Sequence, residues 1–156
     1  MNSTGERSLH LIDIENLTGS PSPSREGVRW YQLAYEALHI GPVDQVVVAC
    51  SHRAAPNVRF GWQGGRHLWR SGKNGADLAL LAVIEKERVA ECFNSVILAS
   101  GDGIFADAIA RLGEQEVDVT VVSRPESLSR SLRMAASHHI LFPYPPIELD
   151  MLGTPA

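Results

Sequence analysis

Cysteine, lysine and aromatic side chains are scarce in this 156-residue chain, with two Cys, two Lys and an aromatic share of 6%. Cys50 and Cys92 stand far apart, with no partner at ligand-like spacing. That argues against a disulfide framework and a zinc site, and the thiols are expected to be buried in a reducing compartment. No apolar run approaches the length that spans a bilayer, and residues 1–8 are too polar for a signal peptide, so no membrane association and a cytoplasmic location are expected. No segment repeats another. One absence is local: between Asp44 and Asp77 there is no acidic residue at all.

That gap shapes the charge. The net charge is −4, yet the acid-free stretch carries Arg53, Arg59, Arg66, Arg70 and Lys73, leaving nine basic against 18 acidic residues elsewhere. An electropositive segment beside an acidic remainder suits a phosphate polymer that must approach carboxylates. The length fits one domain with a full core, and the apolar fraction of 44% is that of an ordinary globule.

Hydrophobic periodicity gives the order of elements. Residues 9–13 read as a buried strand, 16–26 as a polar Ser/Pro/Gly loop, and 25–40 as a helix stopped by Gly41-Pro42. Gln45–Cys50 is a β-branched strand. A short helix near Ala55–Phe60 and a short strand near His67–Trp69 follow. Asn74 opens a helix to about Cys92, and strands at Val96–Ala99 and Val117–Val122 alternate with helices at Phe105–Leu112 and Leu128–Ala136. Ile140–Phe142 closes the series. Strands separated by helices predict a parallel sheet in a three-layer α/β/α sandwich spanning 1–142, with residues 143–156 as a proline-rich tail.

In such a sheet the carboxyl ends of the strands share one edge, where ligands bind. Three acids fall on that edge: Asp13 after Leu9–Ile12, Asp77 in Lys73-Asn74-Gly75-Ala76-Asp77, and Asp102 after Val96–Gly101. Each has a plain alternative as a helix cap, Asn74-x-x-Asp77 most of all. Together they gather negative charge that a divalent cation with oxygen ligands relieves, and magnesium or manganese suits an all-oxygen site. A cation held there activates water and neutralises charge on a phosphate. The reading is a metal-dependent phosphodiester hydrolase acting on RNA. Asn16 and Ser100 are candidate polar partners, and Glu15 is expected to point away. The paired His138-His139 lies far from the acids and is expected to be structural or exposed. Arg53, Arg59, Arg66, Arg70 and Lys73 are candidate phosphate contacts, with Trp62 or Trp69 stacking on unpaired bases and Gly64-Gly65 allowing close approach. The alternative is that both tryptophans are core.

The segments Leu11-Ile12-Asp13-Ile14-Glu15-Asn16-Leu17, Asn74-Gly75-Ala76-Asp77-Leu78-Ala79-Leu80 and Ser100-Gly101-Asp102-Gly103-Ile104-Phe105 resemble the three signature segments of NYN domains, within the PIN-like nuclease superfamily. The likeness runs from about Leu9 to Phe142. It implies a sheet of five or six parallel strands in order 3-2-1-4-5, a metal-dependent ribonuclease activity, and Asp13, Asp77 and Asp102 as metal ligands with Asn16 beside them. Joined to the all-oxygen site and the basic segment, the expectation is an endoribonuclease using Mg2+ or Mn2+ on single-stranded RNA. The family commonly carries a further acid two residues after Asp102. Here that residue is Ile104, and Asp107, one turn on, is the candidate substitute through a water.

Two other readings stay open. A haloacid-dehalogenase-like phosphatase shares the first Asp and the late acids, but Glu15 and Leu17 depart from its first motif and Asp77 has no role in it. A PIN-like fold kept for RNA binding or protein association, with Ile104 marking a decayed site, is the non-enzymatic alternative. Self-association is left open.

Overall fold

The structure is a computed structural model that describes residues 6–38, 40 and 45–142. The Gly41-Pro42 helix stop and the tail at 143–156 lie outside the described residues. Six strands form one parallel sheet: β1 (Ser8–Asp13), β2 (Gln45–Cys50), β3 (Arg66–Trp69), β4 (Ser95–Ala99), β5 (Asp118–Ser123) and β6 (His138–Leu141). Their order is β3-β2-β1-β4-β5-β6, with every pairing parallel. This is the predicted order, extended by the last short strand.

The helices are α1 (Ile14–Thr18), α2 (Arg25–Glu36), α3 (Ala55–Gly61), α4 (Gly75–Lys86), α5 (Val89–Cys92), α6 (Ala106–Glu114) and α7 (Arg130–Ala135). Sheet residues of period two divide between two cores, because successive side chains point to opposite faces. Leu9, Leu11, Val47, Ala49, Val96, Leu98, Val119 and Val121 pack with α4 and α6. Ile12, Val48, Ile97, Ala99 and Val122 pack on the other face with α2 and α3. Strands covered on both faces read as continuous apolar runs, and β1 is buried at all six positions. His10 is tolerated there because its Nδ1 hydrogen-bonds the Tyr35 hydroxyl at 2.6 Å.

Three local expectations change. The stretch after Asp13 is not loop from Asn16 onward: it first makes the short helix α1, ended by Gly19 at φ 74, a left-handed conformation that costs glycine little. The helix opened at Asn74 does not run unbroken to Cys92, because Arg88 adopts φ 53 and separates α4 from α5. The two thiols differ, Cys50 being buried and Cys92 exposed.

Strand order positions the site. β1 lies between β2 and β4: the chain winds outward from β1 to β3 on one side, then crosses back to β4 and continues to β6 on the other, and this reversal opens a crevice at the carboxyl ends of the strands. Register then places Ile12 beside Ala99 and Asp13 beside Ala49, so the residues that follow β1, β2 and β4 meet at one edge.

Candidate active site

Asp13 ends β1 and caps α1. Its Oδ1 accepts from the Asn16 N–H at 3.3 Å and its Oδ2 from the Ser100 hydroxyl at 3.1 Å. It is buried, at 3% exposure. Asp102 follows β4 and caps the 3-10 turn Gly103–Phe105, its Oδ1 accepting from the Ile104 N–H at 3.0 Å. Asp77 sits in the first turn of α4, buried. The capping explanation of the Asn74 segment does not hold: Asn74 occupies the N-cap position at φ 59 and makes no side-chain cap bond. Asp77 instead lines one cavity with Asp13 and Asp102, near enough for their charges to act on it. Carboxylates gathered at one cavity repel one another, and a bound proton or a cation relieves that repulsion.

Burial pushes the Asp13 carboxyl above its ordinary range. Burial first, then the neighbouring Asp13 and Asp102 carboxylates, push Asp77 up to about 9. Among the described residues no Arg, Lys or His ion pair reaches any of the three acids. No ion pair among those residues offsets the site, and the groups around it are oxygens, the donors a hard divalent cation takes. Among the described residues no group of three or more His, Cys, Asp or Glu side chains is arranged to hold a metal ion as it stands. Asp13 and Asp102 are committed instead to capping N–H groups.

The three aspartates open on a cavity of about 220 Å³ whose walls include Glu15, Asn16, Ser51, Gly72, Asn74, Gly75 and Ala76. Glu15 does not point away. Its Oε2 accepts from the Ser51 N–H at 2.9 Å, tying α1 to the end of β2, and its carboxylate lines the cavity. The signal for it lay in Gly19: a glycine stop five residues after Ile14 marks a short helix, which fixes where Glu15 faces.

Asn16 works as a brace. Its Oδ1 accepts from the Gly101 N–H at 2.8 Å and from the Ser127 hydroxyl at 3.4 Å, and Arg124 Nε donates to its backbone carbonyl at 3.0 Å. With its oxygen committed, the Nδ2 amide is the group it can offer to the cavity. Ser100 is buried; besides bonding Asp13 it accepts from the Asp102 N–H at 3.2 Å, so it orients two of the acids. Gly101 is needed for close approach rather than for unusual angles, because a Cβ there would lie 2.2 Å from the Ser127 carbonyl oxygen.

The other candidates divide by sheet edge. Arg53 follows β2, and Arg70 and Lys73 follow β3, all exposed on the edge that carries the acids. Arg66 begins β3 on the opposite edge and is held by Glu87 in a two-pronged contact at 2.7 and 3.0 Å. Arg59, near the end of α3, lies toward that same far edge beside His67. Trp62 is core at 3% exposure, whereas Trp69 is half exposed. Gly64 and Gly65 take positive φ and line a second cavity of about 560 Å³ on the far edge, around His10 and Tyr35. Asp107 is exposed on α6 and does not line the acidic cavity, nor does Ile104. His138 and His139 are exposed on β6, His138 Nε2 lying 3.2 Å from Asp118. Among the described residues no helix is long and apolar enough to cross a membrane.

A parallel α/β sandwich with acids converging at the switch point defines a PIN-like protein. The NYN domain profile matches residues 11–144, and the chain belongs to the NYN domain family. The low amplitude and bright protein LabA of Synechococcus elongatus is 35% identical over 77 residues, 49% of this chain and 39% of that protein. The match thus covers about two fifths of that relative's length. A crystal structure of a protein of unknown function from Vibrio parahaemolyticus superposes with a TM-score of 0.65 at 19% identity, covering 92% of this chain and 97% of that one. That likeness establishes the fold. Asp77 within the cluster also separates the site from the phosphatase layout, which has no use for it.

Proposed function

We propose that the protein is a metal-dependent endoribonuclease that hydrolyses phosphodiester bonds of single-stranded RNA at the Asp13–Asp77–Asp102 cluster. One observation carries this reading: Asp13, Asp77 and Asp102 line one cavity, and no basic side chain among the described residues pairs with any of them.

Asp13, Asp77 and Asp102 would hold Mg2+ or Mn2+, which when bound lowers the pKa of its water and offsets charge on the phosphate. The remaining roles belong to the chain. Ser100 holds Asp13 and the Asp102 backbone in register, and Asn16 locks α1 against the Gly101–Ser127 turn while presenting its amide to the cavity. Arg53 and Lys73 flank the cavity from two loops and attract the polyanion. Those loops are joined by a hydrogen bond between His52 Nδ1 and the Ser71 hydroxyl. Glu15, fixed on the Ser51 N–H, supplies a fourth carboxylate to the wall where the family pattern loses one at Ile104.

The test is incubation of purified protein with end-labelled single-stranded RNA in Mn2+, in Mg2+ and in chelator, alongside Asp13→Asn and Asp102→Asn. Cation-dependent internal cleavage lost in both variants supports the reading. Binding without cleavage under every cation favours a module that only binds RNA.

A further inference from the structure

The cavity of about 560 Å³ lies at the amino ends of β1 and β2, on the edge of the sheet opposite the acids. Its inner wall is apolar and aromatic: Tyr35 of α2 and Trp62, both buried, with Val46 and Ile40 beside them. The two rings meet at a tilt of 51° with centroids 6.1 Å apart, and His10 stands edge-on to Tyr35.

The mouth is held in one shape. Gln32, buried on α2, makes a paired bond with the backbone of Gln63: its Nε2 donates to the Gln63 carbonyl at 2.7 Å, and its Oε1 accepts from the Gln63 N–H at 2.7 Å. Gly64 and Gly65 follow at φ 80 and 79, left-handed values that strain other residues. A Cβ on Gly65 would lie 3.1 Å from the Val46 carbonyl oxygen, so the loop rests on β2. A mouth already ordered spares a ligand the cost of ordering it.

Charge at the mouth is of one sign. Arg66, the one Arg or Lys on the described lining, is held by Glu87 at 2.7 and 3.0 Å. Glu36 has no Arg, Lys or His ion pair among the described residues, and its Oε2 accepts from Gln32 Nε2 at 3.1 Å. Gln45 and Gln63 add side-chain amides, which both donate and accept. The lining therefore suits a flat apolar body with an N–H donor at one end, and it offers a phosphate no unpaired cation.

We infer that this cavity binds a planar heteroaromatic amine without a phosphate, of the size of an aminopurine nucleoside, with its ring against Tyr35 and Trp62 and its amino group on Glu36. Aromatic walls favour offset or edge contacts with a ring. A carboxylate at the rim accepts a charge-assisted bond from the amine, and the two glutamine amides suit the hydroxyls of a sugar. The volume falls within the range of about 300–1,000 Å³ typical of small-molecule sites. The inference is independent of the nuclease reading, because the cavity lies at the other edge of the sheet and uses none of the three aspartates.

The experiment titrates the full chain with adenosine, reading tryptophan emission and the rise in Tm. Saturable binding at one site per chain, with a change in tryptophan emission, is the expected result. Inosine carries a carbonyl in place of the amino group and should bind at least about 10-fold more weakly, the loss of one hydrogen bond to a charged group. Glu36→Gln, at an exposed helical position, should abolish the preference for adenosine over inosine, because the new amide donates to the inosine carbonyl. Val46→Phe places a ring in the cavity and should abolish binding of both; if that variant fails to fold, Glu36→Gln decides alone. Adenosine 5′-monophosphate should bind more weakly than adenosine, facing Glu36 without a cation to receive it. Asp77→Asn, at the opposite edge, is the control and should bind adenosine as the parent does. No saturable binding of adenosine, equal affinity for inosine in the parent chain, or tighter binding of the monophosphate overturns the inference. Loss of adenosine binding in Asp77→Asn overturns it as well, by moving the ligand to the acidic cavity.

Discussion

The Ser100 hydroxyl donates to the Asp13 carboxylate at 3.1 Å across two neighbouring strands, and both groups are buried. The bond fixes how Asp13 presents its remaining oxygen lone pairs, in the way outer partners orient a metal ligand. Ser100→Ala should therefore leave the fold intact and weaken Mn2+ affinity about 10- to 100-fold. Calorimetric titration of the cation reads this directly, and unchanged affinity would reduce Ser100 to a packing residue.

The acids impose a cost on the protein without a cation. Asp77→Asn removes a carboxyl that burial and two like charges disfavour. Removing strain of this kind at a site stabilises a fold by about 0.5–2 kcal/mol while costing function. The expected outcome is a higher Tm in chelator together with loss of the Mn2+-induced rise in Tm. A lower Tm in chelator would mean that Asp77 holds the fold and does not strain it.

The same shifts set a pH dependence. Asp13 and Asp77 both bind a proton more tightly folded than unfolded, because burial and repulsion raise their values. The folded state then holds more protons than the unfolded state as pH rises from the ordinary carboxyl value of 3.8 toward about 9. Stability contributed by these groups must fall across that window. Urea unfolding in chelator should show a decline with pH through the window, flattened in Asp77→Asn. Added Mn2+ should restore most stability at the alkaline end, where it displaces the fewest protons.

Close backbone approach makes two glycines sensitive. A Cβ at Gly101 would lie 2.2 Å from the Ser127 carbonyl oxygen, and one at Gly75 equally near the Arg70 carbonyl oxygen. Both contacts involve backbone that cannot rotate away, so Gly101→Ala and Gly75→Ala should each destabilise by about 1–3 kcal/mol. Gly113→Ala, with nothing near its Cβ position, is the control and should not destabilise in this way. Urea midpoints compare the three.

Asn16 separates bracing from substrate contact. Asn16→Ala removes an acceptor from the Gly101 N–H and the Ser127 hydroxyl, and stranding partly buried donors costs about 1–3 kcal/mol. Asn16→Asp keeps an acceptor there but replaces the amide with a further negative charge. Retained stability with lost RNA cleavage in Asn16→Asp would identify the amide as a contact in the cavity. Equal loss of both in the two variants would make Asn16 a brace alone.

Strand identity and order were legible in the sequence because fully buried parallel strands carry near-continuous β-branched runs, as in Gln45–Cys50 and Val117–Val122. The acids were legible for a related reason: topology alone brings the ends of β1 and β4 together, whatever the side chains do. The break at Arg88 was not, since helical apolar spacing continues through Val89 and Cys92 and a single left-handed residue leaves little trace in composition.

What the residues fixed on their own is a parallel sheet with three aspartates on its binding edge, since hydrophobic period and the handed βαβ connection admit few other arrangements. Tertiary packing decided the rest. It turned Asp77 from a helix cap into the partner of Asp13 and Asp102, brought Glu15 to the cavity wall through Ser51, and sent Arg66 and Arg59 to the far edge. Side-chain direction at a loop or first helical turn depends on which neighbour offers a hydrogen bond or a charge. Those neighbours are distant in the chain and meet only when the sheet is assembled.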